Sequence, residues 1–281
     1  MHAGDQAPGT VVFLHAHPDD EAIFTGGTMA LLAERGWRLV LVLATQGEQG
    51  ETSAFVGPDV PLAVRRVAET AQAAERLGAA RIEFLGYHDS GMAGTTLAPG
   101  REGTPSDAAF AHSSVDEAAE RLGRILDEEE PVALVTYDDR GVYGHPDHVQ
   151  VHLVGVRAAE NHGVPILYEA TVDREYLHFV ETHLVVEASR SSQEHHASHQ
   201  PERSELGLAA TPLGLSTVEI DCTVDVRSVL ETKRQAMAAH ASQIPESCSA
   251  MRLPASDFAA VYGYEWYARR GPVGPIDELG S

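Results

Sequence analysis

The sequence predicts an α/β protein in which a mostly parallel sheet carries helices on both faces. Short apolar segments alternate with longer helical patterns through the first two thirds of the 281 residues, which is the element order of parallel sheets. No linker rich in Pro, Gly or Ser divides the chain, and no repeat of about 20 to 50 residues occurs. We therefore expect a single domain, with a core over about 10–185 and a C-terminal elaboration over about 186–281.

The predicted strands are short, rich in Val, Leu and Ile, and bounded by turn residues. They are Val11 to His15, Arg38 to Ala44, Arg81 to Leu85, Val132 to Thr136 and Pro165 to Tyr168. The helices predicted between them are Ala22 to Glu34, Pro61 to Leu77, Ser114 to Glu129 and Asp147 to Asn161. The last third predicts a helix from Val224 to His240 and, at Tyr262 to Gly271, an edge strand or a covering element.

Ligand sites in such sheets lie in the loops after the strands, because the carboxyl ends of parallel strands meet at one edge. Two of these loops, Gln46 to Val60 and Gly86 to His112, are long and are predicted to form the active-site walls. A third segment, Glu187 to Gly214, carries histidines among Ser and Glu residues. Its polar composition favours a solvated loop over a metal site.

Composition excludes several classes of partner. Acidic residues outnumber basic residues 42 to 20, for a net charge of −22, so neither nucleic acid nor an anionic membrane surface is expected. No apolar run approaches the ~20 residues of a membrane span, and the first ten residues lack the features of a secretory signal. We expect a cytoplasmic protein with two free thiols, Cys222 and Cys248. Assembly into a homo-oligomer is compatible with the sequence.

Two similar motifs follow predicted strands. HPDD (17–20) comes after the first strand, and HPDH (145–148) comes after the fourth. In each motif the proline suits the first position of a helix, where its missing N–H costs nothing. Residues three apart then share a helix face, so the first and fourth residues of each motif are expected to lie together.

Imidazole and carboxylate are ligands of catalytic zinc, which takes three protein ligands and keeps one position for water. Three residues supply this set: His17, Asp20 and His148. Asp19 would be the general base, because a metal lowers the pKa of water towards ~7 and a carboxylate can then take its proton. His145 would protonate the departing nitrogen, with Asp147 orienting its ring.

Each motif alone also has an ordinary structural interpretation. Asp19, Asp20 and Glu21 fit a helix N-terminus, where negative charge is favourable by up to ~1 kcal/mol. His145 and His148 fit a solvated helix surface. The presence of both motifs, each at the end of a predicted strand, favours the metal site.

At these positions the sequence resembles the PIG-L or LmbE-like family of metal-dependent de-N-acetylases. The two characteristic motifs of that family are present as AHPDDE (16–21) and GHPDH (144–148). Further short segments similar to the family are QGE (46–48), YHDSGM (87–92) and AHASQ (239–243). The sequence is most similar to the actinobacterial branch, which includes the N-acetylglucosaminyl-inositol deacetylase and the mycothiol S-conjugate amidase.

The resemblance implies a Rossmann-like fold and zinc, or iron(II), held by the three predicted ligands. It implies Asp19 as base, His145 as acid or oxyanion stabiliser, and Tyr143 as a further stabiliser of the tetrahedral intermediate. It also implies a sugar pocket lined by Arg66, Asp89 and Met92. His240, near the end of a predicted helix, is interpreted only as favourable charge at a helix C-terminus.

The leading hypothesis is a zinc-dependent hydrolase that removes the N-acetyl group from an amino sugar or a related small metabolite. An amidase that acts on a mycothiol-type S-conjugate or a natural-product intermediate uses the same chemistry and stays open. A metallophosphoesterase is less favoured, because it usually needs two metals and further carboxylate ligands. A non-catalytic metal-binding relative is less favoured because the proposed base and acid are both present.

Overall fold

The computed structural model describes residues 8–50, 60–91, 109–182 and 213–280. Its strands form one seven-stranded sheet and are β1 (Thr10–His15), β2 (Arg38–Thr45), β3 (Arg81–Tyr87), β4 (Ala133–Tyr137), β5 (Ile166–Thr171), β6 (Cys222–Asp225) and β7 (Tyr264–Arg270). All five strands expected in the first two thirds are confirmed, with small shifts at their ends. Most of the two long loops and of the histidine-rich segment lies outside the described residues.

The strand order is β3-β2-β1-β4-β5-β7-β6. Strands β1 to β5 run parallel, whereas β7 is antiparallel to both β5 and β6. The chain moves outward from β1 to β3 and then returns to pair β4 with β1. The carboxyl ends of β1 and β4 therefore flank the point where the order reverses, which is where open α/β sheets bind ligands.

The helices are α1 (Asp20–Phe24), α2 (Gly26–Glu34), α3 (Leu62–Leu77), α4 (Val115–Glu129), α5 (Gly141–Gly144), α6 (Pro146–His162), α7 (174–182), α8 (Leu230–Ala239), α9 (Ser249–Arg252) and α10 (Ala255–Tyr262). Helices α4 and α6 pack together on one face of the sheet, and α2, α3 and α8 pack together on the other. Among the described residues, none of these helices has the length and apolar character needed to span a bilayer.

The strands of the parallel part are buried because helices cover both faces. Every residue of β1 is buried, and in β2 only the first residue is exposed. This arrangement explains why these strands read as continuous apolar runs rather than as alternating patterns.

Two helix predictions need correction. The helix expected from Ala22 to Glu34 is two helices, because Thr25 adopts a non-helical φ of −134° between α1 and α2. The helix expected from Val224 begins only at Leu230, because Cys222–Asp225 forms β6. In β6, buried and exposed residues alternate, as they do in a strand with one covered face.

The aromatic segment near the C-terminus was expected to be an edge strand or a covering element, and this is wrong. It contains β7, which lies inside the sheet between β5 and β6. Residues of the predicted C-terminal elaboration thus extend the same sheet that the first two thirds of the chain begin.

A buried ion pair joins this extension to the first helices. Lys233 on α8, the single lysine of the chain, lies with Nζ 2.6 Å from Oε1 of Glu265 on β7, and both side chains are 1% exposed. The carboxylate of Glu265 also accepts hydrogen bonds from the backbone N–H groups of Gly27 and Thr28 in the first turn of α2. Glu265 therefore satisfies orphan donors at that helix N-terminus.

Replacing Lys233 with methionine is expected to lower the free energy of unfolding by about 3 to 5 kcal/mol, because it leaves a buried carboxylate without its cation. Urea denaturation followed by circular dichroism measures the change. Glu231→Gln on the exposed side of α8 is the control and should stay within about 0.5 kcal/mol of the parent. Equal stability of the Lys233→Met variant and the parent would contradict this account of the ion pair.

Candidate metal and catalytic site

The two sequence motifs meet at the reversal point of the sheet. The first motif leaves β1 at His15 and enters α1, while the second follows β4 through the short helix α5 and enters α6. Pro146 occupies the first turn of α6 as expected. Pro18 does not begin a helix, because α1 starts at Asp20 with Asp19 as its N-cap residue.

The three predicted metal ligands lie together. Oδ2 of Asp20 is 3.3 Å from Nδ1 of His17 and 3.3 Å from Nε2 of His148. Two donor atoms on one tetrahedral zinc ion, each at its usual bond length, lie about 3.3 Å apart. Both pairs that Asp20 forms therefore have the spacing of two donors on one divalent metal, and the three residues are buried.

Electrostatics in this cluster favour a cation. Burial alone raises the pKa of Asp20, but His148 and His17 outweigh burial and hold the pKa well below its usual value. Burial alone lowers the pKa of His17, but hydrogen bonds to Asp147, Asp20 and Asp89 raise it well above its usual value. Metal binding requires Asp20 to be ionised, and the neighbouring imidazoles favour that state.

Asp147 has a different contact from the one expected. Its carboxylate lies 3.1 Å from Nε2 of His17 and accepts a hydrogen bond from the backbone N–H of Ser90. The backbone N–H of Asp147, rather than its carboxylate, contacts Nδ1 of His145. A carboxylate on the second nitrogen of a metal-binding histidine fixes the tautomer and the orientation of the ring.

Two aromatic rings pack against His148. Tyr137 stacks on it with ring centroids 4.5 Å apart, and Tyr143 meets it edge-on at 4.7 Å. The hydroxyl of Tyr143 lies 3.4 Å from Nε2 of His148. Burial, reinforced by the carboxylates of Asp20 and Asp19, raises the pKa of Tyr143 above its usual value, so the hydroxyl keeps its proton at neutral pH.

Asp19 lies beside this cluster and is paired with a buried arginine. Oδ2 of Asp19 is 3.3 Å from Nη2 of Arg66, which also donates to the carbonyl of Pro18, while Nη1 donates to the carbonyl of Gly47. Burial, together with Asp20, raises the pKa of Asp19 to about 6 even though Arg66 opposes the shift.

His145 is the N-cap residue of α6. Its Nδ1 accepts the backbone N–H of Asp147, so in the neutral ring the proton lies on Nε2. Burial, with His17 and His148 nearby, lowers the pKa of His145 to about 4. Ligand atoms of the three histidines lie within 4.8 Å of one another, which places His145 at the cluster and leaves Nε2–H as a donor.

The residues assigned to a sugar pocket are only partly located. Asp89 enters the cluster, with Oδ1 3.4 Å from Nε2 of His17 and hydrogen bonds from the backbone N–H groups of Gln49 and Gly91. Arg66 is 3% exposed and binds the backbone around Asp19. Met92 lies outside the described residues. Sugar contacts of all three residues stay predictions.

The structure adds residues that sequence reasoning did not use. His15 is fully buried, contacts the hydroxyl of Tyr137 at 2.8 Å, and thereby supports the ring stacked on His148. Glu21, the last residue of the first hallmark, pairs with His240 at 2.6 Å, and both are fully buried. His240 lies at the end of α8, where a positive charge is favourable as expected, and it is also buried and paired with a residue of the first motif.

Gly141 leaves room for the side chain of His148. Gly141 has φ +62°, and a Cβ at this position would lie 2.6 Å from Cβ of His148. Gly141→Ala is therefore expected to displace His148 and to weaken zinc binding by about 10- to 100-fold. Titration with a zinc-competing chelator measures the affinity. Gly163→Ala shares the positive φ but has open space, so it is the control for strain alone, and equal zinc affinities in both variants would contradict the expectation.

Comparison with solved structures shows the fold. The N,N'-diacetylchitobiose deacetylase from Pyrococcus horikoshii superposes with a TM-score of 0.57 and 20% identity, over 96% of this chain and 88% of that one. A deacetylase of the teicoplanin biosynthesis pathway gives a TM-score of 0.57 and 16% identity, over 95% of this chain and all of that one. At these identities the likeness concerns the architecture alone.

Sequence comparison identifies the family. A family model described as PIG-L, GlcNAc-PI de-N-acetylase, matches residues 12–159. A 1D-myo-inositol 2-acetamido-2-deoxy-alpha-D-glucopyranoside deacetylase from Salinispora arenicola is 35% identical over 96% of this chain and 90% of its own length. The protein of the same name from Nocardia farcinica is 37% identical over 96% of this chain and 94% of its own length. The chain belongs to the PIG-L family and is a deacetylase, that is, an amide hydrolase.

Proposed function

We propose that the protein is a zinc-dependent N-deacetylase that removes the acetyl group from a GlcNAc-type glycoside, with iron(II) as an alternative metal. The observation that carries the proposal is the position of Asp20, whose Oδ2 lies 3.3 Å from both histidine ligands. The carboxylate of Asp19 and the imidazole of His145 lie next to these residues and are not needed as ligands. The names of the Salinispora and Nocardia relatives support a small N-acetylated glycoside as the substrate class.

In this proposal His17, Asp20 and His148 hold the zinc, which lowers the pKa of water and polarises the substrate carbonyl. Asp19 takes the proton from the attacking water. Its pKa of about 6 makes it a stronger base than an ordinary carboxylate while it stays ionised at neutral pH. Arg66 orients Asp19 through the contact to its Oδ2.

Two neutral donors act at the substrate carbonyl, and Asp19 serves the departing nitrogen. The hydroxyl of Tyr143 keeps its proton and donates a hydrogen bond to the developing oxyanion. His145 presents Nε2–H, because Nδ1 is occupied by a backbone N–H. Since burial lowers its pKa to about 4, the ring is neutral at neutral pH and donates a hydrogen bond to the oxyanion, while the proton that Asp19 has taken from water passes to the departing nitrogen. Asp147 acts through His17, whose ring it orients.

A second candidate, an amidase for a bulky conjugate, is favoured by one observation. A mostly apolar cavity of about 330 Å³ is lined in part by Phe24 and Tyr143, and the rings of both pack against His148. Pockets of this size admit a sizeable apolar substituent. A substrate that carries such a group next to its amide would use this space.

Turnover of three substrates separates the candidates: N-acetylglucosaminyl-inositol and free N-acetylglucosamine, followed by acetate release, and a bulky mycothiol-type S-conjugate. The assay uses zinc-loaded and iron(II)-loaded protein, and release of the free amine is followed for the conjugate. We expect the highest kcat/KM for the inositol glycoside. Turnover confined to the conjugate would replace the deacetylase proposal with the amidase, and no turnover of any N-acylated compound would reject both.

A further inference from the structure

The backbone of Asp19 adopts a conformation that L-residues rarely occupy. Its φ is +104° and its ψ is −30°. Such a conformation costs on the order of 1–3 kcal/mol and persists only where the surrounding structure enforces it. Asp19 is also the residue to which we assign the base, so whatever enforces its backbone also directs its carboxylate.

Two neighbours bind the backbone around Asp19. The N–H of Asp19 donates to Oε2 of Glu21 at 3.0 Å. On the other side, Arg66 donates to the carbonyl of Pro18. Both contacts bind the same peptide group, the one that joins Pro18 to Asp19, so its orientation is fixed from two sides. The carbonyl of Asp19 accepts the first hydrogen bonds of α1.

Glu21 can hold that N–H only if its own carboxylate is fixed. The side chain is fully buried, and its second oxygen, Oε1, lies 2.6 Å from Nε2 of His240, which is also fully buried. The imidazole of His240 binds Oε1 while Oε2 accepts the N–H of Asp19, so His240 holds this acceptor in place.

His240 is itself held firmly. It terminates α8, where its N–H donates to the carbonyl of Met237, and its carbonyl accepts hydrogen bonds from the N–H groups of Gln243 and Ile244. Packing of α8 against α1, α2 and α3 brings this turn to the first motif, 219 residues away along the chain. The turn also lies outside the residues 12–159 that the family model matches.

We propose that His240 is a positioning residue for Asp19 and acts through Glu21. The buried His240–Glu21 pair holds the N–H of Asp19 and so keeps the carboxylate of the base directed at the metal cluster. This inference rests on the proposed role of Asp19 as base. It assigns His240 no contact with substrate or metal.

The test compares two substitutions at His240. His240→Gln retains an N–H donor near the position of Nε2, whereas His240→Leu fills similar space without a donor. For His240→Leu we expect kcat to fall about 10- to 100-fold, with KM and bound zinc unchanged, because small displacements of a catalytic group cost up to about 100-fold in rate. His240→Gln should recover most of this loss. Tyr168→Phe removes a partly buried hydrogen bond to Asp277 away from the site and should keep the parent kcat.

The activities of the His240 variants decide whether His240 positions Asp19. A zinc-loaded His240→Leu protein with the parent kcat overturns the positioning role, as does a His240→Gln protein that is folded, binds zinc and is as slow as His240→Leu. If His240→Leu does not fold, the kcat of His240→Gln against that of a Glu21→Ala variant provides the same comparison. A crystal structure of the slow variant should show that φ of Asp19 has changed, and an unchanged φ counts against the proposal.

The result is separable from the proposed function. If Asp19→Asn is inactive while His240→Leu is fully active, the base stands and the positioning role fails. If Asp19→Asn is fully active, the base assignment itself is wrong.

Discussion

Asp20→Ala is expected to lose its zinc and with it all measurable deacetylation. Oδ2 of Asp20 lies 3.3 Å from each of two imidazoles, and it is the one anionic member of the predicted ligand set. Its removal leaves two neutral donors and should weaken zinc binding by more than about 100-fold, since losing a residue that only supports a ligand already costs 10- to 100-fold. Metal content after gel filtration, measured by mass spectrometry, checks the first effect, and acetate release checks the second.

Two further variants make the Asp20 result specific. Asp20→Asn preserves the shape and the hydrogen bond from the backbone N–H of His17, yet its neutral oxygen is a poor zinc ligand, so it should also lose zinc. Asp139→Ala removes an acid that is 68% exposed in the loop after β4 and should keep the parent zinc content and rate. One equivalent of zinc per chain is expected in the parent, whereas two equivalents would favour phosphoester hydrolysis.

Asp19→Asn is expected to reduce kcat by about 10²- to 10⁴-fold, because an amide cannot take the proton of the attacking water. The substitution nearly preserves volume and leaves His17, Asp20 and His148 in place. Zinc content and KM should therefore remain close to the parent values. Steady-state kinetics of acetate release, with zinc measured on the same sample, tests both statements.

A matched acid separates the Asp19 effect from a general change of charge. Asp139→Asn removes the same unit of charge from the neighbouring loop and should leave kcat unchanged. If Asp19→Asn binds a full equivalent of zinc and turns over within about twofold of the parent, Asp19 is not the base, and His145 becomes the next residue to test.

The local pattern determined the parallel part of the fold. β1 and β4 are apolar because helices cover both faces of the sheet, and such strands are visible from a few neighbouring residues. The pattern could not place β7 inside the sheet, because its neighbours β5 and β6 pair with it from distant parts of the chain. The pattern also did not reveal β6, because four alternating residues next to a helix are too few to distinguish a strand from the start of that helix.

Arg66 shows the same limit within one helix. It follows Arg65 directly, and either of two adjacent arginines on a helix suits a solvated position. In the structure Arg66 is 3% exposed and contacts Asp19, because α3 packs this face against the first motif. Which of two adjacent arginines is buried depends on how the helix is rotated against its neighbours, and no local signal records that rotation.

The sequence by itself determined the chemistry of the centre, because two short motifs after β1 and β4 carry imidazole and carboxylate groups that the topology of a parallel sheet must bring together. Only the tertiary structure decided which groups support them. Asp147 contacts His17 rather than serving His145 with its carboxylate, and His240 reaches Glu21 across 219 residues. These contacts depend on the packing of helices from separate parts of the chain, and hydrogen bonds between distant residues leave no periodicity in the sequence.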